Sequence, residues 1–391
     1  MILCVGLKVW IGDCESIGRM TRMLQQDSHH NKSVRTGLLN AAFIPVWKGN
    51  PYHWELKSAL EKLGVLVSFP DSLKIFYRDF FQKNQRTKIL HLHSLPYFET
   101  SPVGLVHYFL FYFRLLRLKR SGMRIVWTVH DLHNHDSRYW KIEEFAARYI
   151  VRRIDALVVH GEAAKEILHQ RWGLSVAQRT VVIPHGNYIN SYPNTIDRET
   201  ARKQLGLDSS DFVFLFLGLI RPYKGVPEMV RAFRKIADTD ARLVIAGKPV
   251  GTEIADEIQR CIEGDPRITF FAGTVDDDKI QIYMNACDVV VLPYKRVLTS
   301  GAAILAMSFS RPCIAPRTGC ITDTLDERGA IFFDSESSDD LLRGMRTAIS
   351  QRKMLDSMGT YNFKRSMSWD WGEIARQTAA LFESVASKPG E

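Results

Sequence analysis

Apolar and polar positions along this chain follow two rhythms: short unbroken apolar runs, and longer stretches with an apolar residue every third or fourth place. The runs read as strands buried on both faces, and the periodic stretches as helices packed against them. Phe212–Leu217 (FVFLFL) is the clearest run. Gly218 then turns the chain, and Val226, Met229, Val230 and Phe233 carry helical spacing over Val226–Ile236. The alternation continues through Arg242–Ala246, Ile254–Ile262, Ile268–Ala272, Asp278–Ala286 and Val289–Leu292, which predicts a doubly wound parallel α/β sheet. From Ala41 the same rhythm opens with AAFIPVW as a strand, KGNPY as a turn, Trp54–Lys62 as a helix and VLVSF as the next strand. Later strands are read in KILHLHSL, in Ile125–Val129 and in ALVV, the last followed by the helix GEAAKEIL.

A chain of 391 residues exceeds what one core usually supports and suits two domains. We place them at 41–190 and 200–368, with 369–391 as a terminal helix and the polar segment 187–198 (NYINSYPNTIDR) as a hinge. Residues 1–40 read as an extension: MILCVGLKVWIG is apolar but lacks a following cleavage site, and QQDSHHNKSVRTG suits disorder. No apolar run reaches the about 18 residues of a spanning helix. The net charge of +9 favours anionic partners, substrates or a membrane surface, over nucleic acid. Six cysteines without a Cys-x-x-Cys pair fit a reducing cytoplasm, as core residues and not bridges or metal ligands.

Candidate chemistry gathers where strands end, the edge at which open α/β sheets bind ligands. Arg221 and Lys224 fill the turn after the 212–217 run, ahead of a helix N-terminus, and two fixed cations there suit a diphosphate. His130 and Asp131 follow Ile125–Val129. His160 and Gly161 follow ALVV, and Lys48, Gly49 and Asn50 follow the first strand. Three metal readings present themselves and are set aside. His91 and His93 share a strand face without an evident third ligand, His130, His133 and His135 are close in sequence, and Asp276, Asp277 and Asp278 read as a cap for the helix that follows. The aromatic stretch VGLVHYFLFYFRLLRLKRSGMR ends in Arg114, Arg117, Lys119, Arg120 and Arg124. It suits a helix lying on anionic lipid and equally a core helix whose dipole those cations complement.

GLIRPYKGVPEMVRAF, followed by RLVIAGKP, IYMNACDVVVLPY, LAMSFSRPCIAP and SMSWDWGEIA, resembles the C-terminal domain of glycosyltransferase family 4 and its relatives of the two-domain GT-B fold. The resemblance is close over 200–370 and looser over 41–190, where Thr128–Asp131 is similar to the family's Thr-Val-His-Asp/Asn motif and TVVIPHGNY to its Ile-Pro segment. It implies two Rossmann-like domains facing a cleft, with the last helix crossing back to the first domain. It further implies a nucleotide diphosphate sugar donor held through Gly218, Arg221, Lys224 and Tyr294, a glycan or lipid-linked acceptor made for a surface polysaccharide, no bound metal or cofactor, and retention at the sugar carbon. His130, at the family's histidine, would lie by the donor sugar, with Lys48, Gly49, Asn50, Asp131 and His160 around the acceptor. One departure matters: the family's two glutamates fall on Val297 and Leu305, both apolar. Thr299, Ser300 and the amide of Gly301 at a helix start are the nearest polar replacements, with Lys295 and Arg296 adding charge. A cytoplasmic hexosyltransferase, peripheral at the inner membrane face, is the reading that follows. A nucleotide-sugar 2-epimerase of the same fold, or a degenerate domain that only binds a glycan or a partner, remain open alternatives.

Overall fold

The structure, a computed structural model, describes residues 39–387 except 48, 83–86, 97, 99, 132–138 and 336. Most of the predicted 1–40 extension, Lys48, His133, His135, Cys4 and Cys14 therefore lie outside the described residues. Among the described residues twelve strands form two six-stranded sheets. β1 (Leu39–Ile44), β2 (Val65–Ser68), β3 (Ile89–Leu92), β4 (Arg124–Thr128), β5 (Ala156–Val159) and β6 (Thr180–Val182) make the first, in the order β2-β1-β3-β4-β5-β6. β7 (Phe212–Leu217), β8 (Ala241–Gly247), β9 (Ile268–Ala272), β10 (Val289–Val291), β11 (Cys313–Pro316) and β12 (Ala330–Phe333) make the second, in the order β12-β11-β10-β7-β8-β9. Every pairing is parallel.

Strand order fixes where ligands can go. In the first sheet the chain steps from β1 to β2 on one side and then to β3 on the other, and in the second it runs from β7 through β8 to β9 on one side and then to β10 on the other. The helices leaving the two strands of such a switch point diverge over opposite faces, which opens a crevice beyond their carboxyl ends. The loops bordering these crevices are the segments after β1 and β3 and those after β7 and β10.

β7, whose six residues are all buried, forms the centre of the larger core, packed by Val226, Met229, Val230 and Phe233 of the Val226–Phe233 helix. Two separate cores cover the first sheet. On one face lie Phe76, Leu115, Leu118, Ile150, Val151 and Leu168 from four helices. The other face is covered by Tyr52, Leu56 and Leu60 of the Pro51–Lys62 helix, together with Ile374, Ala375 and Phe382 of the terminal Trp371–Ala386 helix, which crosses back from the second sheet as expected. Asp370 caps that helix by accepting from the Glu373 amide at 3.1 Å. Among the described cysteines Cys261, Cys287, Cys313 and Cys320 are free thiols, and all but Cys261 are buried.

Two readings change. The Asp276–Asp278 triplet does not cap: the helix starts later, at Ile280, its N-cap is Lys279 without a side-chain bond, and Asp276 instead pairs with Lys279 Nζ at 2.7 Å. The first-half helix begins three residues early, at Pro51, because Asn50 supplies a cap and proline suits the first helical position. The polar 187–198 segment, read as a hinge, is tied near its end to the second half, with Gln281 Oε1 accepting from Thr195 N at 2.8 Å and Asn285 Nδ2 donating to Ile196 O at 2.9 Å.

Candidate active site

The turn after β7 places the two predicted cations. Arg221 is extended and its carbonyl accepts from the Lys224 amide at 2.9 Å, closing a short 3-10 turn over Pro222–Lys224. Gly225 follows at φ 66°, where a Cβ would stand 2.1 Å from the Pro293 carbonyl oxygen, so only glycine lets this turn lie against the β10 loop. Lys224 Nζ would stand 3.8 Å from a Cβ placed on Gly218, and it lies 5.8 Å from the centroid of the Tyr294 ring. Burial first, and the Arg221 charge second, push the Lys224 pKa down to about 8, while Asp131 from the opposite sheet pulls the other way. An amine held this way gains much from an arriving diphosphate, because the anion relieves both penalties.

The loop after β10 does different work from residue to residue. Ser300 Oγ accepts from the Ala303 amide at 3.2 Å and donates to Tyr294 Oη at 3.4 Å, so it caps the Gly301–Ser308 helix and fixes the tyrosine. Thr299 Oγ1 is buried and meets only the weak Cys320 thiol among the described residues. Leu298 on its other side packs into the core of the first sheet, so Thr299 sits where the two halves of the molecule meet. Leu305 is buried in the second core, and Val297 packs against the same core. Lys295 does not add free charge, since its Nζ pairs with Glu228 at 2.8 Å.

Across the cleft the strand ends of the first sheet bring histidines together. His160 Nδ1 donates to the Ile183 carbonyl at 2.9 Å, which leaves its Nε2 as an acceptor. That Nε2 lies 3.4 Å from His130 Nδ1, and His130 Nε2 lies 3.4 Å from His93 Nδ1. Assigning tautomers along this chain, each ring donates from Nδ1, and both nitrogens of His130 are occupied inside the protein. Burial lowers the pKa of His160 to about 4 and holds His130 and His93 well below the ordinary value, with neighbouring histidines adding to the shift for His130 and His93. His91 and His93 are both core residues, His91 Nε2 lying 2.7 Å from Thr128 Oγ1. No group of three or more His, Cys, Asp or Glu among the described residues is arranged to hold a metal ion.

Tyr52 is the hub that sequence reading missed. Its ring stands 5.2 Å from His130, 5.8 Å from His160, 4.9 Å from His185 and 5.3 Å from Trp371. His185 Nδ1 donates to the Gly186 carbonyl at 2.7 Å, so the Tyr188 hydroxyl donates to its Nε2 at 3.4 Å. That same hydroxyl would stand 3.4 Å from a Cβ on Gly301. One path of contacts thus runs from His130 through Tyr52, His185 and Tyr188 to the helix start at Gly301. The signal for it was the Ile183-Pro184-His185-Gly186 segment, where the chain leaves the first sheet. Of the other predicted cleft residues, Gly49 is exposed and Asn50 Oδ1 accepts from the Tyr52 amide at 3.0 Å, so Asn50 acts on the site by starting the helix that carries the hub.

The model of the glycosyl transferases group 1 matches residues 197–365, and that of Glycosyltransferase Family 4 matches 63–187. The chain is a group 1 glycosyltransferase. The transferase is 28% identical over 313 residues to a GDP-mannose:glycolipid 4-beta-D-mannosyltransferase of Xanthomonas campestris pv. campestris, covering 76% of this chain and 79% of that one. It is also 28% identical over 217 residues to a D-inositol 3-phosphate glycosyltransferase of Rhodococcus erythropolis, covering 51% and 48% respectively. Among solved structures, sucrose-phosphate synthase from Thermosynechococcus elongatus superposes with a TM-score of 0.72 at 18% identity, over 89% of this chain and 99% of that one. Anabaena HepE in complex with UDP-glucose superposes with a TM-score of 0.68 at 17% identity, over 88% and 100%. These likenesses establish the two-sheet GT-B fold, in keeping with the sheet topology.

Proposed function

We propose that the transferase moves a hexosyl group from a nucleotide diphosphate sugar, GDP-mannose being the first candidate, to a glycolipid acceptor presented at an anionic membrane face, in surface polysaccharide synthesis. The observation that carries the reading is Lys224, held beside Gly218 and Tyr294 at the β7 switch point, with the charges of Arg221 and Asp131 both acting on it. The identity of the donor and acceptor rests on the Xanthomonas relative, whose similarity spans most of both chains. No helix among the described residues is long and apolar enough to cross a membrane.

In the reaction the acceptor hydroxyl forms a bond to the sugar carbon as the bond to the diphosphate breaks. Lys224 and Arg221, with the helix start at Gly301, offset the charge that grows on the departing diphosphate. The resemblance implies retention, but the Xanthomonas relative is named for a β-mannoside, which an α-linked donor yields by inversion. Inversion needs a base for the acceptor proton. His130 has both ring nitrogens occupied, so we assign that role to Asp131, which is exposed at the cleft.

A panel of nucleotide sugars tests this. Release of nucleoside diphosphate from one donor, dependent on a lipid-linked acceptor and lost in Lys224→Ala, is the expected result. Donor binding without release in the presence of any acceptor would favour a protein that only binds. NMR of the new glycosidic bond reads the anomeric outcome, and a product of retained configuration removes Asp131 from the base role.

A further inference from the structure

The first sheet carries an outward surface that catalysis does not use. The Pro102–Arg120 and Trp140–Val151 helices both pack onto the same face of that sheet, through Leu115 and Leu118 of one and Ala147, Ile150 and Val151 of the other. Between them the Phe98 ring touches Tyr108 at 5.1 Å and Tyr139 at 5.5 Å, and the Phe98 amide donates to Glu143 Oε1 at 2.9 Å. Neighbouring helices with their buried stripes on one face of a sheet turn their other sides the same way.

Those other sides are apolar. Val103, Val106, Phe109 and Phe113 stand out from the first helix, Phe109 with 63% of its surface exposed. Ile142, Phe145 and Tyr149 do so from the second, at the spacing of one helical stripe, with Phe145 74% exposed. A soluble surface seldom displays so many large apolar side chains together. Cations flank them. Arg117 lies over the Phe81 and Phe113 rings at 5.8 and 6.0 Å, and Arg120, Lys141, Arg148, Arg152 and Arg153 are exposed. The only carboxylates on either helix are taken: Glu143 by the Phe98 amide, and Glu144 by Arg171, by Trp172 Nε1 at 3.1 Å and by Arg148 Nε at 3.9 Å, so Arg148 is a partly neutralised member of the cation set. Lys119 and Arg124 pair inward with Asp155 at 2.6 and 3.3 Å and do not belong to the surface.

Orientation follows from topology. In a parallel β-α-β unit the helix runs back against the strands, so each helix N-terminus lies at the strand carboxyl ends. Val103, Val106, Ile142 and Phe145 therefore lie nearest the cleft, and Arg117, Arg120, Arg152 and Arg153 farthest from it.

We propose that these two helices form one surface that binds an anionic lipid bilayer, seating the apolar end by the cleft mouth so that a lipid-linked acceptor enters from the membrane. Only the second clause rests on the acceptor reading above. The occupant is a bilayer because large exposed apolar groups run along both helices toward a cluster of cations at their far ends, with no free carboxylate on either helix, a charge complement to anionic headgroups.

Sedimentation with phosphatidylcholine vesicles, with and without phosphatidylglycerol, tests the surface. Binding is expected only to the anionic vesicles, weakened by salt, and reduced about tenfold in Phe145→Ser and again in Phe109→Ser, each removing one inserted aromatic ring. Arg120→Gln with Arg152→Gln is expected to weaken binding while flattening its salt dependence. All four positions are exposed, so the variants keep the fold, and their nucleoside diphosphate release with a short water-soluble acceptor is expected to match the wild type. No binding to anionic vesicles, or binding that the aromatic variants leave unchanged, overturns the proposal. A dimer in solution that Phe145→Ser dissociates would assign the surface to a second copy instead. Vesicle binding that persists while no donor is ever turned over would overturn the transferase substrate reading and leave the lipid surface standing.

Discussion

Asp323, in the second half of the molecule, accepts a hydrogen bond at 2.9 Å from the amide of Ala163 in the first. The bond caps the Glu162–Trp172 helix, which has no cap from its own preceding residue, Gly161. It also joins the two sides of the cleft. A Cβ on Gly161 would stand 2.2 Å from Asp323 Oδ2 and 2.9 Å from its Cβ, so alanine there displaces the whole side chain. Gly161 itself has an extended backbone, and the substitution is strained only by this contact. Gly161→Ala is expected to hold the cleft more open, raising the radius of gyration with donor bound in small-angle scattering and lowering kcat/KM about tenfold, the loss of one cap contact of about 1 kcal/mol or more. Unchanged scattering and kinetics would show that the contact does not contribute to closure.

Lys224 gives the site a pH dependence whose sign follows from its depressed pKa. Donor binding needs the charged amine, so affinity for the nucleoside diphosphate should fall as pH rises through about 8, the value burial and Arg221 impose. Stability should move oppositely: the unfolded amine holds its proton to higher pH than the folded one, so stability rises as pH climbs from about 8 toward the ordinary lysine value. Lys224→Ala and Arg221→Ala should each cost about 2 to 4 kcal/mol in transition-state stabilisation. Calorimetric titration with nucleoside diphosphate from pH 7 to 9 reads the first effect. A flat profile in the wild type would remove Lys224 from the diphosphate.

The strand β7 and the turn that carries Arg221 and Lys224 were legible in the chain, and the histidine and tyrosine contacts of the first half were not. Phe212–Leu217 matches β7 residue for residue because an unbroken apolar run can only be buried on both faces, and the glycine and cations after it then had one place to go. His130 and His160 were correctly placed at strand ends, but periodicity could not show that their rings face each other, since that depends on the pairing of β4 with β5. Tyr52 was hidden in what read as a turn, because Asn50 starts a helix there. The aspartate triplet misled because three acids before a helix suit a cap, whereas Lys279 neutralises Asp276 from inside the turn. The exposed face of Trp140–Val151 could not be told from a core face, because sequence does not say which side a helix turns to the sheet.

The buried histidines predict acid sensitivity. Burial leads the shifts that hold His53 and His160 near pKa 4 and His91 and His185 near 3, all below the ordinary histidine value. The unfolded chain takes up these protons below about pH 6.5 and the folded one does not, so stability present above that pH is lost as pH falls toward 4. Each such histidine removes roughly 2 kcal/mol at pH 5 by linkage, enough together to consume most of a typical folding stability. Urea unfolding at pH 7 and pH 5 should show the midpoint dropping sharply. His53 has neither ring nitrogen hydrogen-bonded, so His53→Leu should narrow the gap between the two pH values by about one histidine's share while stabilising at pH 7. A midpoint insensitive to pH in the wild type would mean the cluster opens to water.

The loop that replaces the family's glutamates separates into a structural residue and a candidate donor contact. Ser300 is occupied by its cap and by Tyr294, so Ser300→Ala should lower stability by about 1 kcal/mol and affect turnover through the tyrosine. Thr299 carries a buried hydroxyl that meets only the weak Cys320 thiol among the described residues, at the junction of the two halves. A hydroxyl so weakly met forfeits part of the about 1 to 3 kcal/mol that a full hydrogen bond is worth, which a donor hydroxyl would return on binding. Thr299→Val keeps the shape and removes the group, so it should leave the melting temperature equal or higher and raise donor KM about tenfold, the worth of one hydrogen bond to a desolvated partner. Leu305→Glu should not restore a carboxylate contact, because position 305 is packed in the core and a lone charge there is unpaired. Thermal unfolding and donor kinetics on the three variants decide the matter. If Thr299→Val binds donor as the wild type does, or Leu305→Glu gains activity, the sugar and ribose hydroxyls are met elsewhere in the cleft.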